Sequence, residues 1–254
     1  MEVYQDIIKY IKTAGQRLKE RSGHIEDIGI RKRNLTEEDI RIERELKEII
    51  TKNDPTHQVY AEEENADFFD AEEVWVIDPI SGTHLFIQGK PHYAIVVSHL
   101  HKGIVQFAAV YDTSADELFT AQRGSGAFLN GTKIMVQPAS PDRLRVVFNK
   151  SNKWPDEVLV QKVLDGLQTY EVFRLEASHA LGDCYIACGR YNGVIVLAKD
   201  SFPSFAGSLM VQEAGGEYTN QKGESDIKPD NRIFVGGDHG THFRLLGMVQ
   251  EMLK

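Results

Sequence analysis

Cysteine is nearly absent from this 254-residue sequence, which has only Cys184 and Cys188. Two cysteines are too few for a disulfide framework, and the scarcity fits a reducing compartment. They lie four residues apart in a stretch of helical period, so they share one face and read as small core residues. Long apolar runs are missing as well. No segment approaches the ~20 apolar residues of a membrane span, so no membrane partner is expected. Positive charge is in deficit, with 29 Lys and Arg against 38 Asp and Glu and a net charge of -9. That balance argues against a nucleic-acid groove, which needs clustered cations. The one basic cluster, Arg31-Lys32-Arg33, reads as a solvated turn. The opening residues Met1 to Asp6 lack the basic-then-apolar pattern of a secretory signal, so the cytoplasm is the expected compartment. Repeats, low-complexity tracts and Pro/Gly linkers are also lacking.

Helical and strand periods are interleaved along the chain. Apolar residues at Val3, Ile7, Ile8, Ile11, Ala14 and Leu18 form a helical stripe. Thr36 stands as the N-cap of a second helix, with Asp39 at its third position and Ile40, Ile42, Leu46, Ile49 and Ile50 as its buried face. Strands are expected at residues 57–60 and 74–77, the latter ended by Pro79, and at 94–100 and 104–111, joined by the hairpin His101-Lys102-Gly103. Residues 118–121 and the turn Gly124-Ser125-Gly126 complete an antiparallel meander. The second half alternates strand 144–148, helix 155–167, strand 170–174, helix 177–189, strand 193–197, helix 205–214 ended by Gly215-Gly216, strand 232–235 and a C-terminal helix. Stacked α and β layers are the architecture this order predicts. One domain over 1–254 is expected, with an internal seam near Pro138 and Pro141 that separates halves 1–137 and 138–254.

Four spaced motifs stand out. They are Ala61-Glu62-Glu63, then Trp75-Val76-Ile77-Asp78-Pro79-Ile80-Ser81-Gly82-Thr83, then Gly124-Ser125-Gly126-Ala127-Phe128-Leu129-Asn130-Gly131, and last Glu213-Ala214-Gly215-Gly216. In this order they resemble the signatures of the inositol monophosphatase family, over nearly the whole chain. The resemblance implies an αβαβα sandwich of the sugar-phosphatase type, a homodimer, and Mg²⁺-dependent hydrolysis of a small phosphate monoester. Gly124-Ser125-Gly126 lacks the third glycine of a dinucleotide fingerprint and lies in a hairpin, so a Rossmann reading fails.

The resemblance assigns one metal site to Glu62, Asp78 and the carbonyl of Ile80. Mg²⁺ takes hard oxygen donors and keeps several waters, so few protein ligands suffice. The resemblance also pairs Thr83 with Asp39 to orient the attacking water, with Glu62 as a third catalytic group. Gly82 and Thr83 would offer N–H groups to phosphate at a helix start. The second metal site is where the sequence departs from the family. An aspartate is expected at Ser81, and an ungapped count from Glu213 sets the other expected aspartate on Pro203. The family's sugar-gripping glutamate falls on Val196. Asp200 is the one nearby carboxylate that could substitute, and His84 beside Thr83 could reach a phosphate or simply be packed. One Mg²⁺ is therefore expected and a second is doubtful. Two functions follow: a weakened phosphomonoesterase acting on a polyol, sugar or nucleotide phosphate, or a pseudophosphatase that binds a ligand or partner without turnover.

Overall fold

The computed structural model describes residues 2–29, 34–61, 71–139, 144–151, 153–168, 170–173 and 177–254. The basic cluster Arg31-Lys32-Arg33, the expected ligand Glu62 and Pro141 lie outside the described residues.

Helix α1 (Glu2–Arg21) and helix α2 (Glu37–Asn53) form the outermost layer. The N-cap expected at Thr36 is present as a full capping box with Asp39. One expectation on α2 fails: Ile40 is 48% exposed, because the stripe facing the sheet runs through Ile42, Leu46 and Ile50 instead. Glu38 is buried between the two helices, where it is held by Arg17 and Arg21.

The first sheet has seven strands in sequence order: β1 (Gln58–Ala61), β2 (Glu73–Ser81), β3 (Ala94–His101), β4 (Ile104–Asp112), β5 (Glu117–Gln122), β6 (Gly126–Leu129) and β7 (Thr132–Ile134). Only β1 and β2 run parallel; every later pair is antiparallel, with α3 in the β2–β3 connection and short turns from β3 onward. Alternation assigns the two faces. Trp75, Ile77, Ile95, Val97, Ala109 and Tyr111 pack against α1 and α2, whereas Val74, Val76, Val96, Ala108 and Val110 face the middle of the molecule.

That middle layer is α5 (His179–Ala187) and α6 (Phe202–Glu213), following α4 (Glu157–Gly166) in the chain. Both middle helices are apolar almost all round, as helices sandwiched between two sheets must be. They approach closely at Gly207, where an added Cβ would fall 1.9 Å from Asp183 Oδ2. Burial pushes the Asp183 carboxyl well above the usual carboxylate range, and the Tyr218 hydroxyl donates to it at 3.2 Å.

The second sheet combines β8 (Arg145–Lys150), β9 (Glu171–Phe173), β10 (Gly193–Leu197), β11 (Glu217–Asn220) and β12 (Ile233–Gly237) in the order β11-β12-β10-β8-β9. Its outer face packs on α4 and the last helix, α7 (His239–Met252). The layers are thus α1/α2, first sheet, α5/α6, second sheet, α4/α7, the αβαβα sandwich. Cys184 is fully buried in the central core and Cys188, the C-cap of α5, packs at its margin.

Several elements depart from the sequence reading, among them strands β6 and β7 and the ends of α4 and α5. Strand β2 runs through Pro79 to Ser81. Pro79 falls where the ladder with β3 passes from Asp78–Val96 to Ser81–Ala94, a place that tolerates a missing N–H. The register with β3 shifts between Asp78 and Ser81, a bulge that re-aims the strand end. Helix α6 begins at Phe202 rather than Phe205, because proline is accommodated in a first helical turn. Strand β11, after Gly215-Gly216, was not expected from the sequence.

Candidate active site

The candidate site gathers at the bulged end of β2. Asp78 is 5% exposed, and its place on the strand aims it to the side of α5 and α6. Beyond it, Gly82 takes a left-handed conformation at φ 87° and starts α3 (Thr83–Ile87). Only glycine adopts that geometry without strain, and it turns the chain so that Thr83 faces back toward Ile80. Helix α3 has only five residues, so the expected phosphate contact rests on local N–H groups rather than on a long helix dipole.

Asp39 reaches this point from the start of α2. It is fully buried, and its Oδ2 accepts from the Thr36 N–H at 2.8 Å and from the Thr36 hydroxyl at 2.6 Å. The capping box therefore fixes the carboxylate before any substrate arrives. Its other oxygen, Oδ1, lies 3.4 Å from the Thr83 hydroxyl. That hydroxyl is nearer the Ile80 carbonyl, at 2.7 Å. A hydroxyl has one proton, so Thr83 donates to Ile80 and only faces Asp39. The structure thus brings Asp39, Thr83 and Ile80 together, with Asp78 two residues before Ile80 on β2.

The positions expected to hold a second metal are of a different character. Ser81, also 5% exposed, accepts a hydrogen bond of 2.8 Å from the hydroxyl of Ser178, the residue before α5. The Ser178 N–H in turn donates to the carbonyl of His92 at 2.9 Å. Sequence reasoning missed Ser178; nothing in the local pattern marks a contact across 97 positions. Pro203 sits in the first turn of α6 and has no side-chain ligand atom. Asp200, one residue before the N-cap Ser201, accepts from the Phe202 N–H at 3.3 Å and pairs with Lys199 at 3.7 Å. Phe202 stacks on Tyr60 with ring centroids 4.6 Å apart, which anchors the start of α6 beside the end of β1.

Val196, where the family's sugar-gripping glutamate falls, is fully buried in the central core. The Glu213 side chain of the last motif is a clamp on the sheet. Its two oxygens accept from Gly124 and Gly126 N–H groups at 2.8 Å each, so two of the four motifs are tied to each other. The carbonyl of His84 helps close the turn of α3.

The family model for the inositol monophosphatase family matches residues 2–253. The chain belongs to the inositol monophosphatase family. Among members of the inositol monophosphatase family, the Nus factor SuhB of Vibrio cholerae is 34% identical over 191 residues, which is 74% of this chain and 72% of that protein. Inositol-1-monophosphatase of Rhizobium meliloti is 28% identical over 92% of this chain and 91% of its own length. A solved IMPase of Thermotoga maritima superposes with a TM-score of 0.86 at 25% identity, covering all of this chain and 98% of that one.

The two positions expected to hold metal differ in the donors they offer. At the first position a buried carboxylate and a main-chain carbonyl are both hard oxygen donors. At the second, one expected carboxylate is a neutral hydroxyl already engaged by Ser178, and the other is proline.

Proposed function

We propose that this chain is a weakened, Mg²⁺-dependent phosphomonoesterase acting on a small polyol, sugar or nucleotide phosphate. The observation that carries the reading is Asp39, locked by its capping box and facing the Thr83 hydroxyl beside Ile80 and Asp78. Asp78, the Ile80 carbonyl and Glu62 would hold the ion. Once bound, Mg²⁺ supplies Lewis-acid polarisation of a phosphoryl oxygen and an acidified water. Thr83 then turns its proton from Ile80 to Asp39, which leaves the Ile80 carbonyl as a ligand and the Thr83 oxygen as acceptor for the attacking water. Gly82 and Thr83 N–H groups receive a phosphate oxygen. Water attacks in line, and no phosphoenzyme forms.

Leaving-group stabilisation is what Ser81 and Pro203 forgo. Removing one well-placed electrostatic contact to a transition state costs on the order of 3 kcal/mol, or roughly a hundredfold in rate. Phosphatase accelerations are large enough to leave measurable turnover after such a loss. Substrate recognition differs from the family pattern as well, because Val196 cannot bind a sugar hydroxyl.

A second reading is favoured by the same two losses and by the name Nus factor carried by relatives such as that of Vibrio cholerae. In it the chain keeps the family fold and dimer and binds a ligand or partner without turnover. A net charge of -9 is no bar to a partner that meets one local patch. The deciding experiment is a phosphate-release screen over inositol, sugar and nucleotide phosphates with Mg²⁺, run beside the Ser81→Asp, Pro203→Asp double variant. Turnover by the unmodified chain that disappears in Glu62→Gln supports the enzyme. Activity in the double variant alone supports the second reading.

A further inference from the structure

A group of side chains at the opposite end of β2 has no part in that chemistry. Five residues before Asp78, at about 3.3 Å per residue, Glu73 stands some ~17 Å away along the strand. Glu73 pairs in register with His101 on β3, and Trp75 pairs with His99. The four residues therefore share one face. His57 immediately precedes β1, whose register sets Gln58 opposite Val74 and so carries His57 toward Glu73. One ligand atom each from His57, Glu73 and His99 lies within 4.8 Å of the others.

The geometry points to a second, imidazole-rich metal site in which His57, Glu73 and His99 hold a divalent transition ion such as Zn²⁺, with His101 within reach as a fourth ligand. Ligands at ~2.1 Å around a tetrahedral ion are about 3.4 Å apart, so side-chain rotation closes the set without moving the strands. Two imidazoles and a carboxylate are a donor set for Zn²⁺, Co²⁺ or Ni²⁺ rather than Mg²⁺.

The outer partners of a metal site are already in position. Asp54 Oδ2 lies 3.1 Å from His57 Nε2, the carboxylate that a ligating histidine commonly engages through its other nitrogen. Tyr4 holds His99 Nδ1 at 2.8 Å, and a phenol both donates and accepts, so it serves whichever tautomer directs the Nε2 lone pair at the ion. His99 Nε2 is 2.9 Å from Glu73 Oε2, and His101 Nδ1 is 2.5 Å from Glu73 Oε1. Asp54 and His101 are exposed at the rim, which leaves an entry path.

Loading costs two hydrogen bonds, the one between His99 Nε2 and Glu73 Oε2 and one made by His57. An indole N–H only donates, and that of Trp75 reaches His57 Nδ1 at 3.0 Å, so the His57 lone pair is on Nδ1. His57 joins the ion by giving up this bond. Trp75 also stacks on His99 with centroids 4.5 Å apart, so its fluorescence reports occupancy.

The test is a Zn²⁺ and a Ni²⁺ titration of the full, EDTA-stripped chain in excess Mg²⁺, read by calorimetry and by tryptophan emission. One Zn²⁺ per chain and quenching by Ni²⁺ are expected. Glu73→Gln and His99→Gln should each weaken binding by at least the ~10- to 100-fold that loss of an outer-shell partner costs. Asp78→Asn should leave it unchanged. The half-buried His57→Gln and Glu73→Gln are the variants that decide if the buried His99→Gln prevents folding. Absence of a Zn²⁺ site, binding that survives His57→Gln and Glu73→Gln, or loss on Asp78→Asn alone would overturn the assignment.

Discussion

Restoring one carboxylate by Ser81→Asp is the most informative perturbation. Ser81 is 5% exposed and stands three residues after Asp78, which is equally buried. Without a cation, a second carboxylate there is an added buried charge, and the effective penalty after relaxation is several kcal/mol, here taken as about 4. The Ser178 hydroxyl, 2.8 Å from Ser81 Oγ, would donate to the new oxygen. Its gain over the present neutral bond is about 1 kcal/mol. The metal-free variant should therefore lose about 3 kcal/mol, which for a chain of this size lowers the Tm by roughly 6–12 °C. Mg²⁺ at a hundred times its Kd returns about 2.7 kcal/mol, most of the loss. The assay is thermal unfolding of both chains in EDTA and in Mg²⁺ with phosphate. The variant should show the larger Mg²⁺ shift. A variant as stable as the unmodified chain in EDTA, or one with an identical Mg²⁺ shift, would refute the reasoning that this position is a vacated ligand.

Three further outcomes are expected. Thr83→Ala should lower phosphate release about a hundredfold, the scale of a lost proton-handling group, while Thr83→Ser retains most of it; equal rates in both variants would exclude the hydroxyl from the mechanism. Gly207→Ala would drive a methyl to within 1.9 Å of Asp183 Oδ2 and should cost about 1–3 kcal/mol in urea unfolding, relieved when Asp183→Ala is added. His99 is 7% exposed, and its pKa falls from 6.5 to about 4 because burial outweighs the nearby Glu73 charge, with His57 and His101 adding repulsion. Its folded-state value is depressed, so its contribution is complete above about pH 6.5 and is lost as the pH drops toward 4. In EDTA, urea unfolding should show about 3 kcal/mol less stability at pH 4 than at pH 7, and His99→Gln should flatten that slope.

Much of this architecture is legible because neighbours in sequence decide it. The Thr36–Asp39 box is written in four consecutive positions, and the same box that starts α2 also holds the carboxylate facing Thr83. Pro79 misled because a strand-breaking rule assumes a regular ladder, whereas it sits in the register shift between Asp78 and Ser81. Ile40 was assigned to the core by its type, although the angular position of Ile42, Leu46 and Ile50 turns it outward. The Ser178–Ser81 bond, the Glu213 clamp and the His57–Glu73–His99 group depend on chain segments far apart in sequence. Such contacts exist only once the layers have stacked, and no local period announces them.

The central claim, half a catalytic centre with one metal position retained, is tested most directly by counting Mg²⁺ ions bound per chain at saturating phosphate. Glu73→Gln serves as the background, so that the histidine cluster does not contribute. The account predicts one ion, lost in Asp78→Asn and joined by a second only when Ser81→Asp and Pro203→Asp are introduced. Two ions on the unmodified ligand set, or one that survives Asp78→Asn, would contradict it.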